Sequence, residues 1–267
     1  MFAQMKNIFA RKTISLYLCL LLGALSCDKD PVFPAIVDIP LTFQIEMDEL
    51  LQAGSRPFLF NLKSVEELDC TNYAIDHVLY QESNLIHLTL KDWDLIEPCE
   101  PGYGIATEVL NLGILQPGEF QIVITLQEVV RNEGMLIVSP EHYSIRMETS
   151  YGLLFKPNDL FRIPNETIWG GVYPQSDSLS ALADDFLSEL DAMVESETFT
   201  PGVYGPFEIQ ADQSIEMDDL PEGGDGHNFV YKYQGSRAEL IDLVSNYRTL
   251  GGDDLHIYLF DVEGYEY

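Results

Sequence analysis

PGEFQIVITL, residues 117–126, sets Phe120, Ile122, Ile124 and Leu126 on one side of an extended chain and Gln121 and Thr125 on the other. A side-chain period of two is the mark of a strand with one face in a core. Pro117 and Gly118 ahead of it suit the middle of a type II turn, since proline presets its φ and glycine accepts the positive φ that follows. The same alternation recurs on both sides. Upstream it runs through Leu41 to Met47, Phe58 to Leu62, Ile75 to Tyr80, Leu85 to Leu90 and Glu108 to Leu112; downstream it runs through Met135 to Val138 and Tyr143 to Met147. No helical period of useful length interrupts residues 39–150. Eight short strands in so few residues predict an all-β, antiparallel sandwich of immunoglobulin-like outline.

Beyond residue 150 the punctuation changes. Pro157, Pro164, Gly170, Gly171 and Pro174 read as a linker, placed at 151–169, with one strand near Gly152 to Phe155. Leu179, Leu182, Ala183, Phe186, Leu187, Leu190, Met193 and Val194 then follow spacings of three and four, so a helix is predicted, capped by Asp177 or Ser178. Strands return at Val203 to Gln210, Ser214 to Asp218 and Asn228 to Tyr233. Ser236 and Glu239 form a capping box for a second helix that ends near Gly251, and Leu255 to Phe260 is the last full strand. Residues 170–267 are therefore expected to form a two-layer α+β domain with both helices on one face of a sheet. The chain reads as two domains.

The first 27 residues carry a different message. Lys6, Arg11 and Lys12 precede an apolar run from Ile14 to Leu25, which at roughly 12 residues is shorter than the ~20 a membrane-spanning helix needs. Ala24, Leu25, Ser26 and Cys27 close the run. This stretch resembles the lipobox of bacterial lipoproteins, departing from it at Ala24, where the family usually places leucine. The resemblance covers residues 5–27 and implies a signal peptide over 1–26, a diacylglyceryl thioether and an N-acyl chain (palmitate or similar) on Cys27, and a tether over 27–38. Several acyl chains on one residue make attachment to a membrane stable. Asp28, Lys29 and Asp30 resemble a surface-export tag of some Gram-negative lineages, whereas in enteric-type sorting an aspartate directly after the cysteine retains a lipoprotein in the inner membrane. The expected location is the bacterial cell envelope, with the outer membrane, facing outward, as the leading reading and the inner membrane as the alternative. The segment 112–124 also looks like a closing hairpin of surface-lipoprotein sandwiches.

Composition fits that address. The chain carries 14 basic and 44 acidic side chains, a net charge of −30. Loss of Lys6, Arg11 and Lys12 with the signal brings the mature chain to about −33, which repels a phosphate backbone and sets nucleic acid aside as a partner. With 46% apolar and 11% aromatic residues the chain has ample material for a core. Once Cys19 leaves and Cys27 is acylated, Cys70 and Cys99 remain as an even pair in an oxidising compartment, and a disulfide between them is expected.

Catalytic motifs do not emerge. G-x-S-x-G, H-E-x-x-H, Walker and dinucleotide-binding patterns are missing from the sequence, and His77, His87, His142, His227 and His256 are scattered. No catalytic residue, cofactor or metal site is assigned. The loop from Asp218 to His227 concentrates carboxylates and glycines without the spacing of a calcium loop. Tyr231 with Tyr233, and Tyr258 with Phe260, alternate on their strands and are candidates for stacking on a ligand. The leading expectation is a non-enzymatic interaction or adhesion module of the envelope with a protein or glycan partner; a carbohydrate-binding protein is the alternative, and a hydrolase with an acidic site stands behind it.

Overall fold

The computed structural model describes residues 42–217 and 226–267. The eight strands expected before residue 150 all form, joined by two short ones. In chain order they are β1 (Phe43–Glu49), β2 (Phe58–Ser64), β3 (Leu68–Cys70), β4 (Tyr73–Glu82), β5 (Leu85–Leu95), β6 (Pro101–Gly104), β7 (Thr107–Asn111), β8 (Gly118–Leu126), β9 (Val130–Val138) and β10 (His142–Met147). With β11 (Leu153–Phe155) and β12 (Asp159–Phe161), eight of these ten make one ten-stranded sheet, in the order β11-β1-β2-β7-β4-β5-β8-β9-β10-β12.

The inward residues of β8 do what their spacing requires: Ile122 and Ile124 are fully buried and Phe120 and Leu126 nearly so. They share one apolar cluster with Phe43 and Ile45 of β1, Phe58 and Phe60 of β2, and Tyr143 of β10. Each side chain buried to this degree contributes roughly 1.5–3 kcal/mol relative to exposure. Strands far apart in the sheet order touch across this core, with the rings of Phe58 and Tyr143 4.5 Å apart. The sheet therefore curls back on itself around a single core. Its pairing is mixed where an antiparallel arrangement was expected: β1 runs parallel to β11, β5 to β8, and β4 meets β7 in parallel.

Cys70 and Cys99 are bonded, with Cα atoms 5.6 Å apart. The bond ties β3 to the segment entering β6, and those two strands pair with each other apart from the main sheet. Closing a loop of 29 residues removes unfolded-state entropy worth about 3–4 kcal/mol. A Cys70→Ala/Cys99→Ala chain should lose that much stability in urea unfolding; an unchanged midpoint would mean that the unfolded chain is already compact around these residues.

The region expected to be a linker is structured. It holds β11, β12 and the start of β13 (Thr167–Pro174), whose eight residues TIWGGVYP are buried throughout. β13 is the centre of a three-stranded antiparallel sheet between β17 (His227–Lys232) and β18 (Leu255–Asp261). Its glycines mark close approach and not chain breakage. A Cβ on Gly170 would stand 1.9 Å from the carbonyl oxygen of Tyr258 on β18, and one on Gly171 would enter the ring of Tyr173.

Helices α1 (Ser180–Asp191) and α2 (Arg237–Gly251) cover one face of this sheet, as expected. Ala183, Phe186 and Leu190 of α1 and Leu240, Leu243, Val244 and Tyr247 of α2 cluster with Ile168, Val172, Phe229, Ile257 and Leu259. The capping box of α2 is formed: the Ser236 N–H donates to Glu239 Oε2 at 2.9 Å, and the Glu239 N–H donates to Ser236 Oγ at 3.4 Å. A single 3-10 turn, Asp177–Leu179, precedes α1, which carries no side-chain cap bond.

The opposite face is covered as well, so the two-layer expectation is corrected to three layers. β14 (Gly202–Val203), β15 (Phe207–Ile209) and β16 (Ile215–Met217) form a separate small sheet instead of extending the first. Phe199, Tyr204, Phe207 and Ile209 pack there against Trp169 and Val230, with Leu51, Phe161 and Phe260 at the margin. The described residues belong to one compact unit. Among the described residues no helix is long and apolar enough to cross a membrane.

Candidate functional site

The outer face of the curled sheet carries the residues that alternation turns away from its core. On β1 these are Gln44, Glu46 and Asp48; on β2 they are Asn61 and Lys63; on β7 they are Thr107 and Val109. The strand register sets them in rows, Gln44 beside Lys63 and Thr107, and Glu46 beside Asn61 and Val109. Facing this floor are Trp169, Tyr258 and Phe260 of the three-stranded sheet, Gly205, Pro206 and Glu208 from the small sheet, and Glu266 from the C-terminal tail. Between them lies a cleft of about 1460 Å³.

Its carboxylates differ in how they are held. Glu46 is paired with Lys63 at 2.8 Å and accepts from the Gln44 amide at 2.6 Å. Glu49 turns into a knot: its Oε1 accepts from Tyr143 Oη and Arg162 Nε, both at 2.8 Å, and Arg56 lies 3.9 Å from Oε2. Its side chain is 7% exposed, and the Arg162 guanidinium stands 5.4 Å over the Tyr143 ring. Burial pushes the Tyr143 hydroxyl up, with the Glu49 carboxylate adding to the effect, and draws the Arg56 guanidinium down. This knot joins β1 to β10 and to the segment after β12.

Asp48 is held by neutral groups. The Glu49 N–H donates to its Oδ1 at 2.8 Å and the Asn61 amide to its Oδ2 at 3.3 Å. Desolvation pushes its carboxyl above the ordinary carboxylate range despite those two donors, and the charges of Glu49 and Glu46 push the same way. Among the described residues no ion pair reaches Asp48.

The four candidate stacking rings do not share a surface. Tyr231 and Tyr233 pack with the core under the helices. Tyr233 Oη donates to the Ser236 carbonyl at 2.7 Å and to Glu239 at 3.0 Å, and burial with that carboxylate pushes its hydroxyl up to about 12. Tyr258 and Phe260 lie on the opposite face and line the cleft. The register explains the split: Tyr231 pairs with Ile168 of β13, whereas Phe260 pairs with the next residue, Trp169. Phe260 stacks on Trp169 at 6.1 Å and Tyr258 on His256 at 6.4 Å.

Cys27 and the acidic loop residues 218–225 lie outside the described residues. Among the described residues no three His, Cys, Asp or Glu side chains stand close enough to hold a metal ion. A second hollow, about 660 Å³, opens between the helices and is lined by Glu189, Glu239, Asp242 and Asn246. Sequence reasoning missed Asp48, Asn61, Lys63, Glu208 and Trp169 as cleft residues. The outward positions of alternating strands are the available signal, but nothing in one strand's pattern tells which outward face meets another element. No family model, curated protein or solved structure matches this chain.

Proposed function

We propose that this chain is a lipid-anchored protein of the bacterial cell envelope, acylated on Cys27, that acts as a non-enzymatic binding module with its ligand seated in the cleft. The observation that carries the reading is the cleft itself, a concavity with a polar floor on one sheet and an aromatic wall on another. Such concave surfaces with a few placed polar groups are the usual form of ligand sites. Two of its carboxylates are engaged in holding the fold, Glu46 with Lys63 and Glu49 with Arg162 and Tyr143, which suits a binding wall better than a pair of free catalytic acids. In this reading residues 39–150 are an immunoglobulin-like sandwich, the part nearer the tether, and residues 170–267 an α+β domain that closes the cleft. The hydrolase reading finds no support in these contacts, and the glycan reading loses Tyr231 and Tyr233 to the helix-covered core.

Two measurements on intact cells test it. Surface biotinylation followed by pull-down should label the protein and bring its partner with it, and failure to label would sink the outward-facing version. Cys27→Ser should abolish labelling by a fatty-acid analogue and move the protein out of the membrane fraction; persistent labelling would show that acylation is elsewhere.

A further inference from the structure

The cleft carries more acidic than basic side chains. Besides Asp48 it is lined by Glu208 of β15 and Glu266 of the tail, three elements distant in sequence, with Lys63, paired to Glu46, and Lys156 as its basic residues. At about 1460 Å³ it exceeds the roughly 300–1,000 Å³ of most small-molecule pockets, so it suits an extended ligand. The rings on its wall are poor sugar platforms, because Phe260 already has Trp169 stacked on one face and Tyr258 has His256. They do offer apolar surface against which the methylene stem of a long cationic group can lie. Asp48 sits on the floor facing these rings, held by two neutral donors and, among the described residues, in no ion pair, and a cation from outside would supply a positive partner. The negative charge of the whole chain would draw such a ligand in, and walls of one sign concentrate that field within the cleft.

We propose that the cleft binds an extended ligand carrying several ammonium or guanidinium groups, with Asp48 on the floor and Glu208 on the side facing it as its principal charge contacts. This rests on the reading of the cleft as the ligand site. Both a free polyamine and a lysine- and arginine-bearing peptide segment present this chemistry. The test is calorimetry on the full chain in detergent with three probes: spermidine, a Lys-Ala-Lys-Ala-Lys-Ala-Lys peptide and a neutral xylo-oligosaccharide. At least one cationic probe should bind with one-to-one stoichiometry, the tighter of the two identifying the source. Asp48→Asn/Glu208→Gln should weaken it roughly tenfold or more, a change of about 1.4 kcal/mol per factor of ten. Glu189→Gln/Asp242→Asn removes the same charge from the hollow between the helices and should leave binding unchanged. If the first double variant does not fold, Glu266→Gln on the exposed tail replaces it, with a smaller loss in the same direction. No binding of either cation, or equal losses in the two double variants, overturns the proposal. Binding of the oligosaccharide alone also overturns it while leaving the cleft as the ligand site; absence of surface labelling on intact cells fails the envelope reading independently.

Discussion

Gly170→Ala is expected to destabilise the protein by about 3–5 kcal/mol, at the upper end of what single substitutions do. The added methyl would lie 1.9 Å from the Tyr258 carbonyl oxygen and 3.0 Å from the Leu259 Cα, both backbone atoms of β18. A side chain in the way can rotate; a paired strand can yield only by giving up its ladder. β13 is the centre of its sheet, so separation from β18 also loosens the packing of Trp169 against Phe260 on one face and of Ile168 against the helices on the other. Thermal unfolding followed by near-ultraviolet circular dichroism should show a midpoint lower by roughly 10 °C or more. Gly54→Ala is the comparison. Gly54 has φ +75° and a Cβ there would meet nothing within 4 Å, so it carries only the conformational cost of about 1–2 kcal/mol. Equal losses at the two positions would sink the close-approach account of β13.

Glu49→Ala should cost about 3–5 kcal/mol, because it leaves Arg162, Arg56 and the Tyr143 hydroxyl partly buried with no anion among them. Most of that loss belongs to the stranded positive charges and not to the attraction itself. Arg162→Met in the same chain should therefore restore part of it, and a double-mutant cycle in urea reads the coupling directly. The midpoint should fall with an unchanged slope, since the exposed area of the unfolded chain stays the same. A loss below about 1 kcal/mol would place this knot with solvated surface pairs.

Much of the fold can be read from local pattern. Period-two alternation locates the strands because each has one face on the core, and the Ser236–Glu239 box locates the start of α2 because its two hydrogen bonds are made within four residues. The cysteine pair is legible from its even count. What pattern does not supply is pairing. The parallel partners β1 with β11 and β5 with β8 meet through space, and no periodicity in either strand records it. The glycines and prolines around TIWGGVYP read as linker because these residues signal turns and close backbone approach alike, and only a neighbouring strand decides between them. The cleft is hidden for a related reason. Alternation says that Asp48 and Glu208 point out of their strands, but it cannot say that they point toward each other's wall.

The pairing of β13 with β18 also orders events in time. The centre of this three-stranded sheet is made before residue 175, while the edge strand that completes it ends at Asp261. β1 likewise waits for β11, about a hundred residues downstream, to close its open side. Contacts between such distant segments reward the chain only after long loops have been closed. The ten-stranded sheet and the sheet centred on β13 are therefore both sealed by late arrivals, and synthesis has to pass Asp261 before the latter can be finished.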